Sequence, residues 1–236
     1  MSTPDSDLPA GRILAVVPTY NEQNQVEKVV RGICEFGVPV LVVDDGSTDD
    51  SAARAEAAGA ILLRQETNQG KGAALRRGFL WALDHGYDAI LTLDADCQHH
   101  PGDIPQFLQA YAGGDYDLII GARNFEDMPW TRYTMNVLGR WTFSWVMGQP
   151  MPDNQSGYRL LSARLAEATL TSKEDGYEFE VEMIVICIQR GYQLGWVPIR
   201  TIYNEEPSHI NHIQHVYNYL RLLRRVRRQL RQGEPA

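Results

Sequence analysis

The chain has 236 residues, 44% of them apolar, which is enough for one sizeable α/β core and too apolar for wholesale disorder. A net charge of −8 argues against nucleic acid as the main partner, and no apolar stretch approaches the ~20 residues that span a bilayer. The opening MSTPDSDLPAG lacks a basic segment followed by an apolar one, so residues 1–11 read as a disordered lead-in, and three widely spaced cysteines fit reduced thiols of the cytoplasm.

RILAVVP reads as a buried strand, and Val26, Val29, Val30 and Ile33 follow at helical spacing. PVLVVD is a second β-branched run, and Ser47-Thr48-Asp49-Asp50 then caps an alanine-rich helix that ends near Gly59. AILLR is a third strand. Gly70 to His85 is helical, with Ala74, Leu75, Gly78, Phe79 and Ala82 on one side. DAILTLD is a fourth strand, and DLIIGAR a fifth after an intervening helix. This alternation predicts a mainly parallel sheet with helices on both faces. Further on, Met128 to Gly148 reads as helical, SGYRLLS and GWVPI as short strands, and Glu178 to Arg190 as a helix. From about Ser208 to Gln232 one long helix is expected. It sets Val216, Tyr219, Leu220, Leu222, Leu223, Val226 and Leu230 on one broad face and Arg221, Arg224, Arg225, Arg228 and Arg231 opposite. A single domain over 12–207 is expected, followed by this helix and tail over 208–236.

In a parallel sheet, ligands bind beyond the carboxyl ends of the strands. Four polar clusters fall there: Pro18-Thr19-Tyr20-Asn21-Glu22, Asp44-Asp45-Gly46-Ser47, Asp94-Ala95-Asp96 and Gly121-Ala122-Arg123. Asp94 and Asp96 alternate on an extended chain, so the chain must turn for both to meet one ion. Magnesium and manganese prefer such oxygen ligands, and Gln98 is a further donor. A solvated strand end accounts for D-x-D equally well at this point, and His99 and His100 are better read as turn residues than as ligands. Asn68-Gln69-Gly70-Lys71-Gly72 opens a helix whose free amides and lysine would suit an anion, although its spacing is not that of a Walker loop. Asp44 could accept hydrogen bonds from a nucleoside, or simply cap a helix. Asp153 lies in a polar turn. Of Glu178, Glu180 and Glu182, which do not share one helix face, Glu182 is selected as the one entering a cleft.

In this order, VVPTYNE (Val16 to Glu22), VVDDGSTD (Val42 to Asp49), NQGKGAALRRGF (Asn68 to Phe79) and LDADCQH-P (Leu93 to Pro101) form a recognisable series. GAR (Gly121 to Arg123), SGYRL (Ser156 to Leu160) and VPI-T-Y (Val197 to Tyr203) continue it. The series resembles the family 2 glycosyltransferases of GT-A fold and, more narrowly, the dolichyl- or polyprenyl-phosphate mannose or glucose synthases. The likeness runs from about Ile13 to Ile210. It implies an inverting transfer of a hexose from a nucleoside diphosphate sugar of GDP-mannose or UDP-glucose type. Pro18, Tyr20, Glu22 and Asp44 would then line the nucleoside pocket, with Lys71, Asp94, Ala95, Asp96 and Arg123 also at the donor. Asp94, Asp96 and Gln98 would hold Mg²⁺ or Mn²⁺ on the diphosphate. The synthases carry a serine-lysine pair after the VPI strand; here Ser208 is followed by His209, shifted by about a residue, as the matching acceptor contacts.

A lipid phosphate already presents a nucleophilic oxygen, whereas a soluble or glycan hydroxyl acceptor, the alternative, would need a base, for which Asp153 and Glu182 are the candidates; Asp96 would be catalytic through the metal. A nucleotidylyltransferase would need a glycine-rich loop where PTYNE stands. A binding module without activity would have no need of intact DADCQ and NQGKG segments. From His209 onward six arginines face one glutamate, a local balance of +5 that leaves −13 on residues 1–208. Such a helix either lies on an anionic membrane, where polyprenyl phosphate resides, or packs its apolar face on the domain. The expected location is cytoplasmic, with peripheral contact at the inner face of the cell membrane.

Overall fold

The computed structural model describes residues 11–123, 141–200, 202 and 227. Seven strands form one sheet: β1 Ile13–Thr19, β2 Val40–Asp44, β3 Ile61–Arg64, β4 Ala89–Thr92, β5 Leu118–Arg123, β6 Arg159–Ser162 and β7 Leu194–Ile199. Their spatial order is β3-β2-β1-β4-β6-β5-β7. All neighbours run parallel except β6, which is antiparallel to both β4 and β5. The helices are α1 Val26–Cys34, α2 Ser51–Ala57, α3 Lys71–Asp84, α4 Ile104–Gly113, α5 (141–147), α6 Ala163–Thr169 and α7 Glu178–Gln189.

β-Branched runs make the strands, and strict side-to-side alternation divides the core in two. Leu14, Val16, Leu41 and Val43 pack with Leu75, Phe79, Leu165, Phe179 and Ile184 of α3, α6 and α7. Ala15, Val17, Val40 and Val42 pack on the other face with Val29, Ile33 and Phe107 of α1 and α4. The predicted stripe of α3 is the buried one: Ala74, Leu75, Gly78, Phe79 and Ala82. Gly78 sets the closeness of that helix to the sheet, because a methyl group there would come within 2.5 Å of Val16 Cγ1. At the other end of the sheet, buried Asp117 accepts from Ser162 Oγ at 2.8 Å and the Gln193 amide at 3.1 Å, and pairs with Arg164. It thereby ties the start of β5 to the end of β6 and to β7.

This topology fixes where a ligand can sit. From β1 the chain winds outward through β2 to β3, then returns to place β4 on the other side of β1, so a crevice opens at the carboxyl ends of β1 and β4. β4 also stops at Thr92, two residues before the first aspartate of D-A-D. The turn that metal chelation requires is therefore present, and Cys97 completes it with a left-handed φ of 59°.

Among the described residues no helix is long and apolar enough to cross a membrane. The three cysteines are free thiols. The lead-in 1–10 and the C-terminal segment, including Ser208 and His209, lie outside the described residues apart from Ile202 and Arg227. The Arg227 guanidinium stands 4.5 Å above the ring of Trp145 on α5.

Candidate active site

The loops after β1 and β2 are laced together. Asn21, left-handed at φ 56°, donates its amide to Ser47 Oγ at 2.9 Å, and its side-chain oxygen accepts from the Thr48 amide at 2.9 Å. The Glu22 amide donates to Ser51 Oγ at 2.7 Å. These bonds hold Pro18, Tyr20 and Glu22 along one wall of a cavity of about 570 Å³. Asp44, expected in the same wall, is not there. It is fully buried, accepts from the Ser47 amide at 3.1 Å and lies 3.1 Å from Arg64 Nε. Its neighbour Asp45 lines the cavity instead, and takes the amides of Gln69 and Gly70, each at 2.8 Å. Strand alternation explains the exchange, since consecutive residues point to opposite sides.

Asp94, Ala95, Asp96 and Gln98 all line the cavity, with Lys71 facing them. Lys71 Nζ is 2.5 Å from Asp94 Oδ1 and 3.1 Å from Glu180 Oε1. Burial lowers the proton affinity of this lysine, but Asp94 and Glu180 outweigh it and hold the ammonium above its ordinary range. Burial likewise opposes the charge on Asp94, yet Lys71 keeps its carboxyl below the usual value. At Asp96 the Gln98 amide, at 2.9 Å, and the charge of Lys71 are outweighed. Burial and the charge of Asp94 push it up to about 6. His99, read from sequence as a turn residue, is buried and lines the same cavity; burial lowers it to about 4, so the ring is neutral, and its Nδ1 accepts from the Asp94 amide at 3.3 Å. Only its burial gives it this role, and no local spacing announces that.

Beneath the acidic cluster lies Arg159 of β6, fully buried. Its guanidinium donates to the carbonyls of Ser156 at 2.8 Å, Asn154 at 3.4 Å and Glu180. It thus joins the 154–157 turn to the first turn of α7, and both segments line the cavity. Sequence reasoning passed over Arg159 and Glu180 alike.

Three further expectations are corrected. The amides at the start of α3 are not free for an anion, because Gly72 and Ala73 both donate to the Asp175 carbonyl, at 2.7 and 3.4 Å. Glu182 does not enter the cleft. It bonds Ser172 Oγ on the far side of the helix, and Glu180, two residues earlier and ~200° around it, is the residue in the cavity. Asp153 is buried and does not line the cavity. Arg123 grips both its oxygens, Nε to Oδ2 at 2.6 Å and Nη2 to Oδ1 at 3.0 Å, while the arginine itself reaches the cavity wall. Both carboxylate oxygens of Asp153 are thus engaged away from the cavity.

Residues 14–169 match the family model described as glycosyl transferase family 2. The chain belongs to glycosyl transferase family 2. It is similar to the polyprenol monophosphomannose synthase of Mycolicibacterium smegmatis, 31% identical over 207 residues that cover 81% of this chain and 77% of the relative. It is similar also to the undecaprenyl-phosphate mannosyltransferase of Micrococcus luteus, 32% identical over 211 residues, covering 82% and 85%. Among solved structures, glucosyl-3-phosphoglycerate synthase of Mycobacterium tuberculosis in complex with UDP superposes with a TM-score of 0.77 over 92% of this chain and 80% of that one, at 20% identity. That likeness concerns the fold, and the GT-A architecture expected from the motifs is the one observed.

In this glycosyltransferase the donor set at Asp94 and Asp96 suits a divalent cation. Two carboxylates line one wall, and burial together with the charge of Asp94 raises Asp96, a pair of groups that a cation between them would relieve. Among the described residues no group of three or more His, Cys, Asp or Glu is arranged to hold a metal alone. An ion here would need further oxygens from outside these side chains, and magnesium commonly takes them from water or phosphate. The cluster is also tightly backed. A methyl group on Gly157 would stand 2.7 Å from Asp94 Oδ2, 2.9 Å from Glu180 Oε1 and 3.0 Å from Lys71 Nζ. Gly157→Ala is therefore expected to displace these side chains and lower transferase kcat/KM by roughly a hundredfold, with little change in unfolding midpoint. Steady-state kinetics beside thermal unfolding checks this, and wild-type turnover would show that the cluster's spacing does not matter.

Proposed function

We propose that this glycosyltransferase moves a hexose from a nucleoside diphosphate sugar, of GDP-mannose or UDP-glucose type, to a polyprenyl phosphate, with inversion at the anomeric carbon and dependence on Mg²⁺ or Mn²⁺. The observation that carries the reading is the convergence of Asp94, Asp96, Lys71 and Arg123 on one cavity beside the Pro18–Glu22 wall. Such a site offers two carboxylates for a cation and two cations for phosphates. The names of the similar mycobacterial and micrococcal enzymes favour a polyprenyl phosphate acceptor over other acceptors.

In this reading Pro18, Tyr20, Glu22 and Asp45 line the nucleoside end, and Asp94, Asp96 and Gln98 hold the ion. The bound ion would neutralise charge on the departing diphosphate. Lys71 and Arg123 supply further positive charge around the phosphates. Inversion places the acceptor oxygen on the face of the sugar opposite the leaving group. A lipid phosphate brings that oxygen already ionised, so no side chain need take a proton. The fates of the two proposed bases accord with this, since Asp153 is clamped by Arg123 and Glu182 faces away. Ser208 and His209 remain the proposed acceptor contacts. The basic C-terminal segment is proposed to rest on an anionic membrane surface from the cytoplasmic side.

The reading is tested with purified protein, a panel of UDP- and GDP-sugars, and polyprenyl phosphate in vesicles. Sugar is expected to enter the organic phase only with Mg²⁺ or Mn²⁺, and EDTA is expected to stop it. Undiminished lipid product in EDTA would remove the metal from the mechanism.

A further inference from the structure

Lys71 and Asp94 form the shortest ion pair of the cavity wall, and the pair has an awkward consequence. Asp94 Oδ1 receives the ammonium at 2.5 Å, yet Asp94 is one of the two carboxylates proposed to hold the divalent ion. One carboxylate oxygen cannot serve both at full strength. The two cations compete for the same lone pairs and repel each other across a short, poorly screened distance. The ammonium also has a second anchor in place, Glu180 Oε1 at 3.1 Å, and the Tyr177 ring lies 5.3 Å away. Gly157 closes the remaining side, so the three charged groups have little room to rearrange except toward the cavity.

We propose that Lys71 is a placeholder cation. In the nucleotide-free protein its ammonium neutralises Asp94 and discourages metal binding. When a nucleoside diphosphate enters, phosphate oxygens give the ammonium a new partner, Glu180 steadies it from behind, and Asp94 is released to the ion. Beyond the oxygens that the diphosphate itself lends the ion, metal and nucleotide therefore bind with a further positive coupling carried by one side chain, and coupling of this kind is reciprocal. Lys71 and Glu180 are positioning residues in this scheme. The inference rests on the metal-dependent reading of the site and adds to it the order in which the site's charges are satisfied.

The test is Mn²⁺ binding itself, with no turnover. Free Mn²⁺ is followed by its EPR signal during titration of the full chain, alone and with UDP or GDP, with nucleotide-only titrations subtracted. Wild type is expected to bind Mn²⁺ weakly alone and about 5–150-fold more tightly with nucleotide. Lys71→Met is expected to bind Mn²⁺ alone about tenfold more tightly than wild type, and to show a nucleotide gain smaller by about the same factor. Lys71→Gln, which keeps a polar group at the buried position, should move the same way. Glu180→Gln should do the opposite, because the ammonium then leans wholly on Asp94. Damage to the fold would weaken binding in every variant, so the opposite signs separate the two causes. Unchanged or weaker Mn²⁺ binding in both Lys71 variants, with the nucleotide gain intact, overturns the placeholder while leaving the metal reading standing. Failure of wild type to take Mn²⁺ with either nucleotide overturns both.

Discussion

Asp96→Asn is expected to lower transferase kcat/KM by about a thousandfold, close to 4 kcal/mol of transition-state stabilisation, without destabilising the protein. The loss follows from removing one of two carboxylates proposed to hold the ion on the departing diphosphate. The stability follows from the sign of the shift at this residue. Burial and the charge of Asp94 raise Asp96 to about 6, above its value in an unfolded chain. A carboxyl raised in this way favours the folded state only while it is protonated, and its ionisation works against folding as pH climbs through about 6. Asparagine keeps the shape and never ionises. At pH 7 the variant should unfold at the wild-type temperature or above it, while at pH 4 the two proteins should converge. A residue that costs stability and is needed for activity is a common mark of a working site. Full turnover in Asp96→Asn would remove this residue from metal binding.

The second large effect lies under the site. Arg159→Met is expected to cost about 3–5 kcal/mol, a fall of roughly 10 °C in unfolding midpoint. The guanidinium, carried by β6, is fully buried and meets three backbone carbonyls, those of Ser156, Asn154 and Glu180. Burial makes its charge costly, and nearby Glu180, Asp153 and Asp94 offset only part of that cost. Methionine fills the space but leaves the carbonyls without donors and the carboxylates short of a counter-charge. Lysine cannot span three acceptors with one ammonium, so Arg159→Lys should recover only a fraction of the stability. Thermal unfolding of the pair decides the matter, and a wild-type midpoint in Arg159→Met would show that the carbonyls find other partners.

The parts of this site that the sequence announced are those governed by strand pattern. β-Branched runs located the strands, and the crevice rule for parallel sheets then placed Tyr20, Asp94 and Arg123 on one rim. Local pattern failed where side-chain direction depends on packing. α7 buries Phe179, Val181, Met183, Ile184, Val185, Ile186 and Cys187, so apolar residues surround most of it and no stripe shows which glutamate faces the cavity. Glu180 and Glu182 were for that reason indistinguishable. Asp44 and Asp45 differ by one residue at a strand end, where the phase of alternation decides which is buried. The clamp of Arg123 on Asp153 joins residues 30 apart and depends on β6 inserting antiparallel between β4 and β5. A four-residue strand carries no signal of where it will insert.

The acceptor distinguishes lipid from soluble glycosyl transfer, and one competition experiment addresses it directly. Purified protein receives a nucleotide sugar it can use, Mn²⁺, polyprenyl phosphate in vesicles, and an excess of soluble candidates including 3-phosphoglycerate and short glycans. Mass spectrometry of both phases then identifies the product. A polyprenyl phosphate bearing one hexose is expected in the organic phase, and NMR of that product is expected to show the anomeric configuration inverted relative to the donor. A soluble glycoside as the sole product would contradict transfer to the lipid.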